Sequence, residues 1–137
     1  MLLSANVTLT SSQIKNLHGT PIQVVAAPSA GQILNVVSFA SKFLYGGNNA
    51  FTAGAGQVIG LYYGNLTVVP QTVLSNAVLT GTSTRWSYGL PNSGNTTTTD
   101  ITASSFVLYN PVATEISGNA NNDNTFEITV LYYIWTL

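Results

Sequence analysis

The amino-acid sequence predicts an all-β protein: a jelly-roll-like β-sandwich of about eight strands, with at most one short helix near the N-terminus. Three observations carry this. Helical periodicity is nearly absent, while apolar runs rich in Val, Ile, Thr and Tyr recur between clusters of Gly, Pro, Asn and Ser. Hydrophobic residues make up 45% of the 137 residues, which at this length supports a core without a disulfide or metal staple. No crossover helices separate the strands, which argues for antiparallel sheets packed face to face. With no internal repeat and no shift in composition, residues 1–137 read as a single domain.

In chain order, Asn6 to Leu9 is a short first strand. Thr10 or Ser11 can cap a helical stretch from Ser11 to Leu17, which Gly19 stops. Pro21 to Ala27 is a second strand, ended by the turn Pro28-Ser29-Ala30-Gly31. Ile33 to Tyr45 is a long apolar strand whose pattern loosens near Ser38 to Ser41, as at a bend or bulge. Gly46 to Asn49 breaks it. Phe51 to Ala53 is a short strand, and Gln57 to Tyr63 carries Ile59, Leu61 and Tyr63 on one face. After the Gly64-Asn65 turn, Leu66 to Val69 and Thr72 to Thr80 give weaker strand signals. Arg85 to Tyr88 is extended, Leu90 to Asp100 is a polar loop, and Ser104 to Tyr109 is a strand. Asn110 to Asn124 is a loop of turn formers that leads into the final strand, Thr125 to Leu137.

That final strand is the most informative. Alternation places Phe126, Ile128, Val130, Tyr132 and Ile134 on one face. The other face carries Glu127, Thr129, Leu131, Tyr133, Trp135 and Leu137, so it begins polar and turns apolar. An outer face open to water would stay polar throughout. Something therefore covers Leu131, Tyr133, Trp135 and Leu137: another element of the same chain, or a neighbouring subunit. These four are the candidate oligomer or capsid contact.

Charge is scarce. Asp, Glu, Lys and Arg make up 5% of residues, against about 25% in a typical soluble domain. With Lys15, Lys42 and Arg85 as the only cations and a net charge of -1, no basic surface is present to neutralise phosphates, and nucleic acid is not an expected partner. Polarity comes from Asn, Thr, Ser and Gln, whose burial costs less than that of a charge. Such a surface is easily covered by protein and suits an assembly component. No apolar run reaches the ~18 residues of a membrane span, and Met1 to Ser4 lacks the basic start of a signal peptide. Membrane is not expected as a partner either. The acceptor patterns at Asn6, Asn65 and Asn95 are by-products of an Asn/Thr-rich chain.

A search for chemistry finds no catalytic, cofactor or metal constellation. His18 is the lone histidine and no G-x-S-x-G is present, so His18 reads as a capping or surface residue. Asp100, Glu115, Asp123 and Glu127 are the only carboxylates. A glycosidase-type pair would need two of them to converge, and the loop residues Glu115 and Asp123 read more simply as solvated. Asn119 to Asn124 is rich in oxygen donors but has one carboxylate, too few for a calcium loop, and Asx-turns explain it. Arg85, Trp86 and Tyr88 could form a glycan-binding platform, whereas alternation favours core packing of Trp86 and Tyr88. The chain is expected to be non-enzymatic and to need no cofactor.

Two stretches resemble small structural proteins of tailed bacteriophages. One is Val7 to Gln32 (VTLTSSQIKNLHGTPIQVVAAPSAGQ), a short strand and helical turn followed by a Thr-Pro-initiated strand and a Pro-x-x-Gly turn. The other is Phe106 to Pro111 (FVLYNP), then a Gly/Asn loop and the closing strand from Phe126 to Trp135. The resemblance implies a virion component, specifically a homotrimeric capsid cement (decoration) protein seated on the capsid surface, with the major capsid protein as partner. It carries over no functional residues. Relatives by fold on tail fibres or baseplates leave a receptor-binding, lectin-like module as the alternative.

Overall fold

The computed structural model describes residues 1–67, 71–91 and 101–137. Val68 and Val69, the polar loop from 92 to 100, its carboxylate Asp100 and the Asn95 acceptor lie outside the described residues. In chain order the elements are β1 (Leu3–Leu9), α1 (Ser11–Lys15), β2 (Ile22–Val25), β3 (Gln32–Leu44), β4 (Phe51–Thr52), β5 (Ile59–Tyr63), β6 (Gln71–Leu74), α2 (Asn76–Leu79), β7 (Arg85–Gly89), β8 (Phe106–Tyr109), β9 (Ser117–Gly118) and β10 (Thr125–Thr136).

Eight of the strands form two four-stranded antiparallel sheets, in the orders β1-β10-β3-β7 and β2-β8-β5-β6. The pairing is nested. β5 pairs with β6, β3 with β7, β2 with β8 and β1 with β10. An antiparallel ribbon folded at the β5–β6 turn and then rolled produces this order, with β10·β3 and β5·β8 as its seams. This is a jelly roll, the fold the sequence predicts. The short β4–β9 pair stands apart.

The inner faces of both sheets meet in one core. Leu9, Leu34, Phe43, Leu61, Phe106, Leu108, Phe126 and Ile128 are fully buried in it. β3 shows how alternation and a bulge share one strand. Leu34 and Val36 face inward, then Phe39, Ser41 and Phe43 do, so the inward parity changes from even to odd. The register against β10 jumps there: Leu131 lies opposite Ser38 and Tyr132 opposite Val36. Val37 is the extra residue, which bulges the strand and restores inward apolar side chains on both sides. Across the sandwich, the Tyr63 hydroxyl donates to the Leu34 carbonyl at 2.6 Å, and burial pushes this phenol up to about 12.

α1 begins at a capping box. The Thr10 hydroxyl accepts from Gln13 N, and the Gln13 side chain accepts from Thr10 N at 2.9 Å. α2 is a second helical turn where the sequence suggests a strand reaching Thr80. The Asn76 side chain donates to the Ala53 and Gly54 carbonyls at 3.0 and 2.6 Å, pinning a turn that buries Leu79. Leu66 is likewise in a turn rather than a strand, with φ 62° and its N–H on the Tyr63 carbonyl.

Two loop carboxylates read as solvated are structural clamps instead. Both oxygens of Glu115 accept backbone N–H groups, from His18 at 3.0 Å and Gly19 at 2.7 Å. His18 therefore neither caps a helix nor sits on open surface. It is half-buried, stacked on Tyr109, with Nδ1 3.0 Å from the Asn110 carbonyl. Asp123 accepts from Asn119 Nδ2 at 2.7 Å and Asn48 Nδ2 at 2.6 Å, and the Asn119 bond foremost holds its carboxyl below its ordinary range. Around it, Asn119 and Asn124 are buried side chains that join three segments. Asn119 donates to the Asn49 carbonyl and accepts from the Ser11 hydroxyl at 2.8 Å. Asn124 donates to the same Asn49 carbonyl at 2.7 Å and accepts from Gly46 N at 2.8 Å.

Candidate functional site

The outer face of the β1-β10-β3-β7 sheet gathers the sequence-predicted site residues of both sets except Arg85. Its rungs follow from the register. Thr8, Glu127, Lys42 and Trp86 form one row across the four strands, and Asn6, Thr129, Ala40 and Tyr88 form the next. Ser4, Leu131 and Ser38 begin a third. Tyr133 and Trp135 continue along β10 on the same side by alternation, and Leu137 lies just past its end.

The polar end of this face is stitched together by side chains. Asn6 Nδ2 donates to Glu127 at 3.1 Å and to Thr129 at 2.8 Å. Lys42 Nζ lies 5.1 Å from the centre of the Trp86 ring, a cation–π contact between adjacent strands. Along β7 and toward the end of β10 the face is apolar. Trp86 is 71% exposed, Tyr88 90%, Leu90 72%, Trp135 54% and Leu137 62%. Leu131 and Tyr133 are half-buried.

Core packing of Trp86 and Tyr88 is thus overturned. The alternation was real, but the face it selects is the outer one. Trp86 pairs with Lys42 and Tyr88 with Ala40, whereas Ser41 and Phe43, the inward residues of β3, pair with Ser87 and Arg85. The same register separates Arg85 from the aromatic pair. It falls on the other side of the alternation, and Lys42 is the cation beside the rings.

Between β10, β3 and β7 lies an open depression of about 580 Å³. Its walls include Ser38, Ala40, Tyr88, Leu90, Thr129 and Leu131. On the inner side of the same sheet a Cβ at Gly89 would lie 2.7 Å from the Phe39 ring, so glycine leaves room there for that core side chain. Leu131, from one predicted set, and Tyr88, from the other, line the same hollow.

The cover anticipated for the far end of β10 is only partly supplied by the chain itself. Thr102 bridges Ile33, and Ala103 N donates to the Gln32 carbonyl at 2.8 Å. This segment lies along the part of β3 that extends past β7. Ile33 is 8% exposed, yet Trp135, its partner across the ladder, stays more than half exposed.

Of the carboxylates, Glu115, Asp123 and Glu127 are each engaged by different groups in different segments, as described above. Among the described residues no cluster of three or more His, Cys, Asp or Glu side chains is poised to hold a metal ion. The residues that sequence reasoning missed are Lys42, counted only among the cations, and Leu90, placed in a polar loop. The signal for Lys42 was a lone cation on the outward parity of a strand next to an aromatic one.

No family model matches the chain, and no curated protein matches it. Solved structures of similar outline include a chain of the cyanophage Pam1 capsid asymmetric unit, at 14% identity and TM-score 0.47, covering 97% of this chain and 83% of that one. Rabbit GITRL is similar at 10% identity and TM-score 0.35, covering 90% of this chain and 91% of that one. A virus-like particle chain of the Macrobrachium rosenbergii nodavirus is similar at 10% identity and TM-score 0.27, covering 100% and 94%. At these values the fold assignment rests on the strand order, and function rests on the face itself.

Proposed function

We propose that the chain is a non-enzymatic virion structural protein, a capsid cement (decoration) protein that binds the outer capsid lattice as an oligomer and stabilises it. The observation that carries this is the exposed apolar face from Trp86 to Leu137. Monomers seldom expose a contiguous apolar patch of more than 300–600 Å², and a face like this one is buried in working assemblies. The near absence of charge supports the reading, because burying Thr, Ser and Asn against protein costs less than burying ions. The sequence resemblance supplies the partner, the major capsid protein, and implies three copies.

The test is shell stability. Capsids assembled with the chain should withstand higher temperature than capsids without it, since a ligand of the assembled state alone stabilises that state by mass action. Equal melting of the two preparations removes the proposal. A second reading, a tail-fibre or lectin-like receptor-binding module, is favoured by the exposure of Trp86 and Tyr88 beside Lys42. It requires glycan binding that Trp86→Ala abolishes, and a blank glycan array rejects it.

A further inference from the structure

We infer that the occupant of the apolar face is a second copy of this chain, with Trp135 of each copy seated in the depression walled by Tyr88, Leu90 and Leu131 of the other. The inference rests on reading this face as a protein contact, names the partner, and takes two copies in place of the three that the sequence resemblance implies.

Three observations support it. The first is size. Taking 150–250 Å² for each aromatic side chain and somewhat less for each leucine, the exposed fractions of Trp86, Tyr88, Leu90, Trp135 and Leu137 amount to roughly 500–800 Å². A stable interface buries about 800 Å² per partner. The half-exposed Leu131 and Tyr133 add to this total.

The second is shape. The face holds both a projection and a hollow. Trp135 is 54% exposed, and the depression of about 580 Å³ begins at Leu131. The two lie four residues apart on one strand, or ~13 Å. For any such pair of points on a sheet, a two-fold axis lying between two facing copies and crossing β10 near Tyr133 brings each projection onto the other's hollow. The contact is then isologous, and both hollows fill at once. A different partner would have to supply its own projection and also a recess for Trp135.

The third is charge. The ionisable pair on the rungs of this face, Lys42 and Glu127, stands side by side on adjacent strands. Two copies therefore meet without a net like-charge contact, which would otherwise oppose self-association.

The experiment is sedimentation equilibrium on the isolated chain, followed by shell binding. Wild type should sediment as two chains, about twice 14.4 kDa. Trp135→Ser and Leu90→Ser alter opposite sides of the contact at exposed positions, so the fold should survive, as far-UV circular dichroism would show. Each should weaken the dimer at least thirtyfold, the effect of a central anchor residue. A wild-type monomer at high micromolar concentration overturns the inference, as does a dimer indifferent to both substitutions. A stable three-chain mass overturns the reciprocal pair while leaving the oligomeric cement reading standing. Variants that keep the dimer but no longer bind shells overturn it in favour of the capsid as occupant.

Discussion

Asn119→Asp exchanges one donor for an acceptor and leaves the backbone undisturbed, because Asp tolerates the left-handed φ of 50° about as well as Asn does. Asn119 is 1% exposed and donates through Nδ2 to the Asn49 carbonyl at 2.5 Å and to Asp123 Oδ1 at 2.7 Å. Both bonds are lost in the variant. Losing a buried partner costs about 1–2 kcal/mol per bond at the lower end of measured values, so about 2–4 kcal/mol in total. That is a large share of the 5–15 kcal/mol of a typical domain. Urea denaturation measures it: with m of about 2 kcal/mol per molar, the midpoint should fall by roughly 1–2 M at pH 7.

The pH dependence adds a sign. In the wild type the Asp123 carboxyl is held low, so its contribution to stability is present above the ordinary carboxylate range and is lost as pH falls through its folded value. In the variant two carboxylates face each other, which raises the pKa of the pair and favours a shared proton. Acid therefore weakens the wild type while relieving the variant, and the gap between them should narrow from pH 7 to pH 4. A loss below 1 kcal/mol at pH 7, or a gap that widens in acid, refutes the role given to this network.

Other expectations follow from single contacts. Tyr63→Phe removes the bond between the sheets and should cost about 1 kcal/mol in chemical denaturation. The Tyr63 phenol is raised to about 12 from an ordinary 10, so its contribution is complete below pH 10 and disappears as pH rises toward 12. The Phe variant should lose less stability over that interval than the wild type, and parallel alkaline limbs refute this. Ser41 is 2% exposed with a hydroxyl that finds no partner, so Ser41→Ala should leave the melting temperature unchanged or raise it, by up to about 1 kcal/mol of stability; a clear drop contradicts the assignment. A Cβ on Gly46 would stand 2.4 Å from the Asp123 carbonyl oxygen, so Gly46→Ala should destabilise by about 1–3 kcal/mol, and a neutral result by calorimetry places the two loops farther apart.

Much of the architecture was legible because β-strands advertise themselves by period. The inward set Phe126, Ile128 and Val130 and the apolar turn of the opposite face at Leu131 to Leu137 both stand as alternation reads them. The bulge in β3 was expected near Ser38 to Ser41, where the pattern loosens, and lies just before that stretch, at Val37. Alternation has a blind spot, however, since it separates two faces without saying which one is inside. Trp86 and Tyr88 were placed in the core for that reason, although the sheet register turns them outward. Long-range polar contacts were illegible. Glu115 and His18 are 97 positions apart, and Ser11 and Asn119 are 108 apart, so no local rule announces them. The helical turn at Asn76 was hidden for the same reason, as its anchors are carbonyls of residues 53 and 54.

The nested pairing has a consequence for how the molecule comes into being. β10 sits between β1 and β3, so the last strand among the described residues occupies an interior position in its sheet. Leu3 pairs with Tyr132, so β1 finds its partner only once β10 has been synthesised. Such distant pairings fold slowly, because loop closure comes before the contacts that reward it. Until β10 inserts, β1 has no neighbour and β3 shows an open edge that invites stray pairing. The same insertion lays down Leu131, Tyr133 and Trp135 and completes the apolar face. An unfinished chain cannot present this face, so the molecules that carry it are those that have already closed their last seam.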